Sequence, residues 1–190
     1  DVINEACAGL PGYSLAPITY VNSSAATKSF VGRNGGAVCT SSNCEKILRW
    51  AIGDNAANNN RKVIFFPDQH LGRNTAFKMG YPLESMIVWD YRQPGGGVTA
   101  EDIRNARFIL WKGHCSVHQL FRPEHVDQVR RKIPDVQVIV HPECSWEVVR
   151  KADLSGSTEF IGKTIAAAPA GSQWAVGTEV HMVNRLAQKH

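Results

Sequence analysis

The sequence predicts an α/β protein made of two homologous units, each with a short parallel sheet flanked by helices. Three observations predict it. β-Branched apolar runs end abruptly in polar residues: Val138-Ile139-Val140 in His141-Pro142-Glu143, and an Ile18-led run in Tyr20-Val21-Asn22. Such runs read as strands covered on both faces. The polar residues fall at the carboxyl ends of those strands, where open α/β sheets place their ligands. The layout also recurs, with Tyr20 and Asn22 spaced like His141 and Glu143, Ser41 parallel to Ser157, and Asp68 parallel to Glu179. The residue-number offset falls steadily from 121 (His141 less Tyr20) to 116 (Ser157 less Ser41) and 111 (Glu179 less Asp68). Loop-length changes give a duplicated unit this kind of drift. Each copy reads as strand, helix, strand, helix, strand, with polar strand-end residues turned toward a common cleft.

Residues 1–18 read as a lead-in segment from a preceding unit, loop-rich because of Pro11-Gly12 and Pro17. Residues 19–110 read as the first α/β unit and 111–190 as the second, incomplete at its C-terminal end. In the first unit, Ser23 or Ser24 caps a helix running to Phe30, and Asn43 to Ile52 forms the next, with Ile47, Leu48 and Ala51 on one face. Residues 54–60 are a polar, turn-rich connector. Val63-Ile64-Phe65-Phe66 is the third strand, and a helix starts after Asp68.

Between the repeats, Met86 to Trp89 and Phe108 to Trp111 read as strands. Pro94-Gly95-Gly96-Gly97 reads as a flexible loop, since a lone run of glycines is weak evidence for phosphate binding. Thr99 caps a short helix to Arg107, with Asp102 completing a loose capping box. Pro123 opens a helix through Lys132 as a first-turn proline would. Helices over Ser145 to Ala152 and Glu159 to Ala168 complete the second unit.

Composition narrows the function classes. With 43% hydrophobic and 20% charged residues the chain is an ordinary globular sequence. The net charge of +4 is mild, and Arg130-Arg131-Lys132, the one tight basic cluster, sits on a helix as a solvated face, so no nucleic-acid partner is expected. No stretch is long and apolar enough to span a membrane and no signal-peptide pattern is present, so a cytoplasmic location without a membrane partner is expected. The chain begins at Asp1 without an initiator Met, and further residues are expected to precede it.

His141 and Glu143, two positions apart on an extended chain, project to the same side and can share one substrate as proton-handling groups. Five cysteines, an odd number, argue against a disulfide framework. Cys39, Cys44 and Cys144 read as buried structural thiols. Cys115 lies just after a strand, between Gly113 and Ser116 and flanked by His114 and His118. A thiol in such a loop is a candidate metal ligand or nucleophile, with a packed core thiol as the alternative.

Seven blocks in order resemble successive motifs of the quinolinate synthase family. They are Tyr20-Val21-Asn22-Ser23-Ser24-Ala25-Ala26, Cys39-Thr40-Ser41-Ser42-Asn43, Pro67-Asp68-Gln69-His70-Leu71-Gly72-Arg73, Trp111-Lys112-Gly113-His114-Cys115-Ser116-Val117-His118, His141-Pro142-Glu143-Cys144, Gly156-Ser157-Thr158 and Gly177-Thr178-Glu179-Val180-His181. The resemblance implies that the two units are two of a pseudo-threefold set of three. It further implies an enzyme that condenses iminoaspartate with dihydroxyacetone phosphate to form quinolinate for NAD biosynthesis. L-Aspartate oxidase or aspartate dehydrogenase would be the upstream supplier. The implied cofactor is a 4Fe-4S cluster held by three cysteines, one per unit, that acts as a Lewis acid.

Residue by residue, the resemblance makes Cys115 the middle cluster ligand and Cys7 the first, with the third beyond His190. His141, Glu143 and Tyr20 become catalytic residues, and Asn22, Ser41, Ser157 and Thr158 substrate-binding ones. Helix capping is the alternative for Ser41, Ser157 and Thr158 and can hold alongside binding. A salt bridge or hydrogen bond is the alternative for Thr178, Glu179 and His181. A first unit, carrying a further substrate-binding His and Tyr, and the tail with the last cysteine lie outside these residues, so the chain by itself is expected to be inactive. From other classes, a non-catalytic α/β module binding a small dicarboxylate or phosphate and a metal-independent lyase using His141 and Glu143 stay open.

Overall fold

The computed structural model describes residues 1–53 and 60–189. The expected connector over residues 54–60 lies, apart from Asn60, outside them. The chain divides into two compact units, 1–113 and 114–190, three residues beyond the boundary read from the sequence.

The first unit opens with α1 (Val2–Ala6) and β1 (Ser14–Tyr20), so the segment expected to be a loop-rich lead-in is largely regular structure. Ile3 and Cys7 pack with Ile64, Ile103 and Ile109. A five-residue helix is too short to show a period, and Pro17 argued against a strand. Pro17 is accommodated because β1 gains its neighbour β2 (Ala37–Cys39) only from Ile18 onward, where Ile18 pairs with Ala37. The missing N–H therefore interrupts no ladder on that side. Gly36 lies against the carbonyl oxygen of Pro17, and a Cβ there would collide with it.

Between these strands runs α2 (Ala25–Arg33), capped by Ser24, whose hydroxyl accepts from Thr27 N–H at 3.1 Å. After β2 comes α3 (Cys44–Ile52), which buries Cys44, Leu48, Ala51 and Ile52 and stops at Gly53 with φ +77°. The central strand β3 (Arg61–Phe66) leads to α4 (Gln69–Lys78), where Asp68 accepts from Leu71 N–H at 2.7 Å. β4 (Met86–Trp89), α5 (Ala100–Asn105) and β5 (Phe108–Trp111) complete the unit. Thr99 and Asp102 form the expected capping box.

The parallel sheet runs in the order β2-β1-β3-β5-β4. Ile18, Val63, Phe65, Leu71, Phe108 and Leu110 are fully buried in its main core, each stabilising the fold by about 1.5–3 kcal/mol. Pro94–Gly97 forms a tight turn in which Gly95, Gly96 and Gly97 all take positive φ, outside right-handed helical geometry. Gly96 (φ +73°) sits where a Cβ would meet the indole of Trp89, which gives the glycines a packing reason.

The second unit contains α6 (Pro123–Lys132), β6 (Gln137–Val140), α7 (Trp146–Lys151), β7 (Leu154–Ser155), α8 (Thr158–Ala166), β8 (Trp174–Gly177) and α9 (Val180–Lys189). Its parallel sheet runs β7-β6-β8, the order of β2-β1-β3. Thr19 pairs with Phe66 in the first unit and Val140 with Gly177 in the second. Those pairs stand at matching places in the repeat, one residue before Tyr20 or His141 and two before Asp68 or Glu179. In the second unit Asp153 ties α6 to the sheet. It accepts from Val138 N–H and from Arg130 Nη2, each at 2.7 Å. No described helix is long and apolar enough to cross a membrane.

Candidate active site

β6 is flanked by β7 and β8, so its carboxyl end opens at the switch in strand order where α/β sheets bind ligands. His141 and Glu143 follow directly, and both are almost fully buried. The next helix starts at the Ser145 cap, which leaves His141 to Cys144 as the short turn that carries the pair.

The turn brings Glu143 beneath two imidazoles. Its Oε2 lies 3.3 Å from Nδ1 of His141 and 3.4 Å from Nδ1 of His118. The rings stack with centroids 4.5 Å apart and planes inclined by 15°. His118 opens a 3₁₀ turn, and its Nε2 is 3.3 Å from Oγ1 of Thr178, the residue after β8.

Hydrogen bonding assigns the proton of His141. Glu143 N–H donates to Nδ1 of His141 at 3.3 Å, so the His141 proton sits on Nε2. Between Nε2 of His118 and the Thr178 hydroxyl either group can be the donor. Nδ1 of His118 lies close to Glu143 without hydrogen-bond alignment. Burial pushes the His118 imidazolium down to about 4. Burial, and then the neighbouring His118, pushes His141 down to about 3. Both rings are neutral at pH 7, because desolvation disfavours their charged forms.

Cys115 joins this cluster. Its sulfur and ligand atoms of His118 and Glu143 all lie within 4.8 Å of one another, making a group able to hold a metal ion. The thiol is partly exposed, whereas Cys7, Cys39, Cys44 and Cys144 are buried. The packed-core alternative therefore fails for Cys115 and holds for Cys39, Cys44 and Cys144.

Cys7 is different from expectation. It is fully buried in the apolar cluster of Ile3, Ile64, Ile103 and Ile109. Burial pushes its thiol up, against the opposing pull of Lys62, Tyr13 and Arg104. Lys62 donates to the carbonyls of Arg104 and Ala106, ahead of β5, so Cys7 lies at the amino-terminal end of the sheet. A raised pKa disfavours the thiolate that binds metal, and this packing makes Cys7 a core residue.

Tyr20 ends β1 and is buried at 7% exposure, whereas Asn22 is exposed and Ser41 half-buried in the turn after β2. All three lie at the carboxyl end of the first unit's sheet. Ser157 is buried and caps α8, accepting from Phe160 N–H at 3.2 Å, and Thr158 is exposed in the first turn of that helix. The capping alternative thus holds for Ser157 without excluding ligand contact.

Thr178, Glu179 and His181 separate. Thr178 reaches His118, Glu179 accepts from His181 N–H at 2.8 Å and Met182 N–H at 3.1 Å at the start of α9, and the His181 side chain is largely exposed. In the sequence His118 stands only as a neighbour of Cys115, and Thr178 only as a strand-end residue with a hydrogen bond as its alternative, which holds through His118. The Cys-x-x-His spacing from Cys115 to His118 was the available signal for the first.

Gly177 fixes the spacing of β6 and β8 behind the cluster. A Cβ there would meet Cγ1 of Val140 at 2.8 Å. The carbonyl of Gly177 also accepts from His141 N–H at 3.0 Å.

The family model of the quinolinate synthetase A protein (NadA) matches residues 1–190. Among curated relatives, the quinolinate synthase of a Nocardioides species is 57% identical over 179 residues, covering 93% of this chain and 45% of the relative. That of Acidobacterium capsulatum is 55% identical over 191 residues, covering 97% and 50%. That of Streptomyces coelicolor is 51% identical over 190 residues, covering 100% and 46%. The chain thus spans about half the length of these relatives. With the match running through both units and the strand-end cluster inside it, the chain belongs to the quinolinate synthetase A family.

Proposed function

We propose that these residues form part of a quinolinate synthase, which joins iminoaspartate to dihydroxyacetone phosphate and releases inorganic phosphate and two waters. The observation that carries this reading is the buried meeting of Glu143, His118 and His141 beside a half-exposed cysteine. Forming the ring requires protons to be taken from carbon and delivered to departing hydroxyl groups. Neutral imidazoles in contact with a carboxyl group give a water-poor site with groups for both transfers.

Cys115 fits one corner of a 4Fe-4S cluster, because its thiol is accessible and carries no burial of the kind that encloses Cys7. When bound, the cluster would supply a Lewis-acidic iron. Glu143 is assigned proton transfer, with His141 beside it as the second proton-handling group. Tyr20 is assigned orientation of the substrate through its phenol and Asn22 through its amide. Ser41, Ser157 and Thr158 are assigned the carboxylates or phosphate, through hydroxyls and the N–H groups at helix starts. The remaining cluster ligands would come from outside this chain. The substrate supplier would be L-aspartate oxidase or aspartate dehydrogenase, and the location cytoplasmic.

The test is quinolinate formation by the full-length protein purified anaerobically, beside Glu143→Gln. A brown protein whose activity falls about 10²–10⁴-fold in the variant supports the reading. A colourless protein that still forms product would instead favour a metal-independent lyase. A colourless protein that binds dicarboxylates without turnover would favour a binding module.

A further inference from the structure

The sheets of the two units differ at one edge. In the first unit β3 pairs with β1 on one side and β5 on the other, whereas its counterpart β8 pairs only with β6 among the described residues. Phe66 and Gly177 hold matching places, so Val63, Ile64 and Phe65 correspond to Trp174, Ala175 and Val176. Val63 N–H donates to the carbonyl of Arg107 at 3.0 Å, on the side of β5. On β8 the carbonyls of Gln173 and Gly177 accept from Gln137 and His141 N–H, on the side of β6. Backbone groups alternate sides along a strand, so those of Trp174 and Val176 face away from β6. Trp174-Ala175-Val176-Gly177 carries no charge and no proline, the usual devices that keep an outer strand from pairing.

Both faces beside that edge are underfilled. In the first unit Phe108 and Leu110 of β5 enter the main core and Ile109 the smaller one, all fully buried. α4, which follows β3, packs over β3 and β5 and buries Leu71, Thr75 and Ala76 among others. α9, which follows β8, is amphipathic yet buries none of its residues, and Val180 is 59% exposed. On the opposite face, that of Val138 and Val140, a cavity of about 190 Å³ opens beside α6, β6 and β8, with Phe121, Val126, Val129 and Ala175 in its wall. It falls below the range of small-molecule sites, about 300–1,000 Å³, and its wall is apolar apart from Arg122 and His125. Such a space suits side chains of the protein itself.

We propose that the open edge of β8 takes a further parallel strand, supplied by residues that follow α9 in the longer protein. That strand stands to β8 as β5 stands to β3, and is reached by a crossover like the one through α4, β4 and α5. Three consecutive apolar residues satisfy both faces. The middle one fills the cavity, as Ile109 fills its cluster, and its neighbours lie under α9, as Phe108 and Leu110 do under α4. The chain covers 45–50% of the length of its curated relatives, which leaves ample length for this segment. The strand's carboxyl end lies beside Thr178, at the rim that holds His118 and Glu143. The inference rests on the repeat and the open edge, and holds whatever reaction the site performs.

The experiment is amide hydrogen exchange, resolved to single residues, on the full-length protein at high and low protein concentration. Expected is exchange of the Trp174 and Val176 amides within about tenfold of that of Ala175, whose N–H faces β6, at both concentrations. Exchange at the rate of an unstructured peptide overturns the proposal, with no bearing on turnover. Protection that disappears on dilution assigns the edge to a second copy and overturns it too. A photo-crosslinking benzoylphenylalanine in place of His125, exposed at the rim of the cavity, then identifies the neighbour. Capture of a segment beyond residue 190 of the same molecule supports the proposal, and capture of any other segment, or of none, overturns it.

Discussion

The imidazole of His118 lies stacked on that of His141, 4.5 Å between centroids, and both turn Nδ1 toward one carboxylate oxygen of Glu143. The three residues come from two separate loops, so the carboxylate's position depends on His118 as well as on its own turn. His118→Ala should lower kcat of the full-length enzyme about tenfold or more with a smaller change in KM. His118→Asn, which keeps a polar group near Glu143, should recover part of that loss. Steady-state quinolinate formation checks both. A matching destabilisation of about 1–3 kcal/mol in His118→Ala, from Glu143 losing a buried polar neighbour, should appear in denaturant unfolding.

The two candidate ligand cysteines differ in burial, and their variants should behave differently. In the anaerobically purified full-length protein, Cys115→Ser should abolish the brown colour and its broad visible absorption. Cys7→Ser should retain the colour and lose stability by about 1–3 kcal/mol, because it puts a hydroxyl into the apolar cluster of Ile3, Ile64, Ile103 and Ile109. Visible absorption and thermal unfolding read the two effects separately.

Gly177→Ala should damage the site from behind. The added methyl meets Cγ1 of Val140, a stiff β-branched neighbour, so β8 must move relative to β6. The cost should be about 1–3 kcal/mol in stability. Activity should fall as well, since the movement carries Thr178 away from His118. Activity and unfolding measurements on Gly177→Ala beside Ala175→Gly distinguish this from loss of a strand residue alone.

Asp153 should contribute acid-sensitive stability. Burial raises its pKa, but bonds from Val138 N–H and Arg130 outweigh that and hold the carboxyl below its ordinary value. A group depressed in the folded state stabilises above its unfolded pKa and loses that contribution as pH falls through its folded one. Asp153→Asn should therefore lower stability at pH 7 by about 1 kcal/mol, a modest figure because a third of the side chain is exposed. The difference from wild type should persist down to about pH 4, the ordinary carboxylate range, and shrink below it, as urea unfolding across pH would record.

Much of the fold was legible in the sequence. β4, β5 and α6 occupy the expected residues, and the repeat foretold the strand-helix-strand-helix-strand succession that both units contain, without their order in the sheets. These features depend on local signals: β-branched runs, a first-turn proline, and hydroxyl or carboxylate caps that satisfy free N–H groups a few residues away. The strand end that places His141 and Glu143 was legible for the same reason, but the expected extended chain was not found there: a turn over His141 to Cys144 brings the two side chains together. The start of β1 was not legible, because Pro17 reads as a breaker unless one knows where the neighbouring strand begins.

The sequence by itself determined the α/β class, the duplicated strand-helix order and the strand ends that bear the polar residues. Tertiary structure alone decided that Cys7 is enclosed in a core and that His118 and Thr178 belong with Glu143. The reason is physical. Periodicity and capping act over a few residues, whereas desolvation and contact depend on which distant segments the sheet brings side by side.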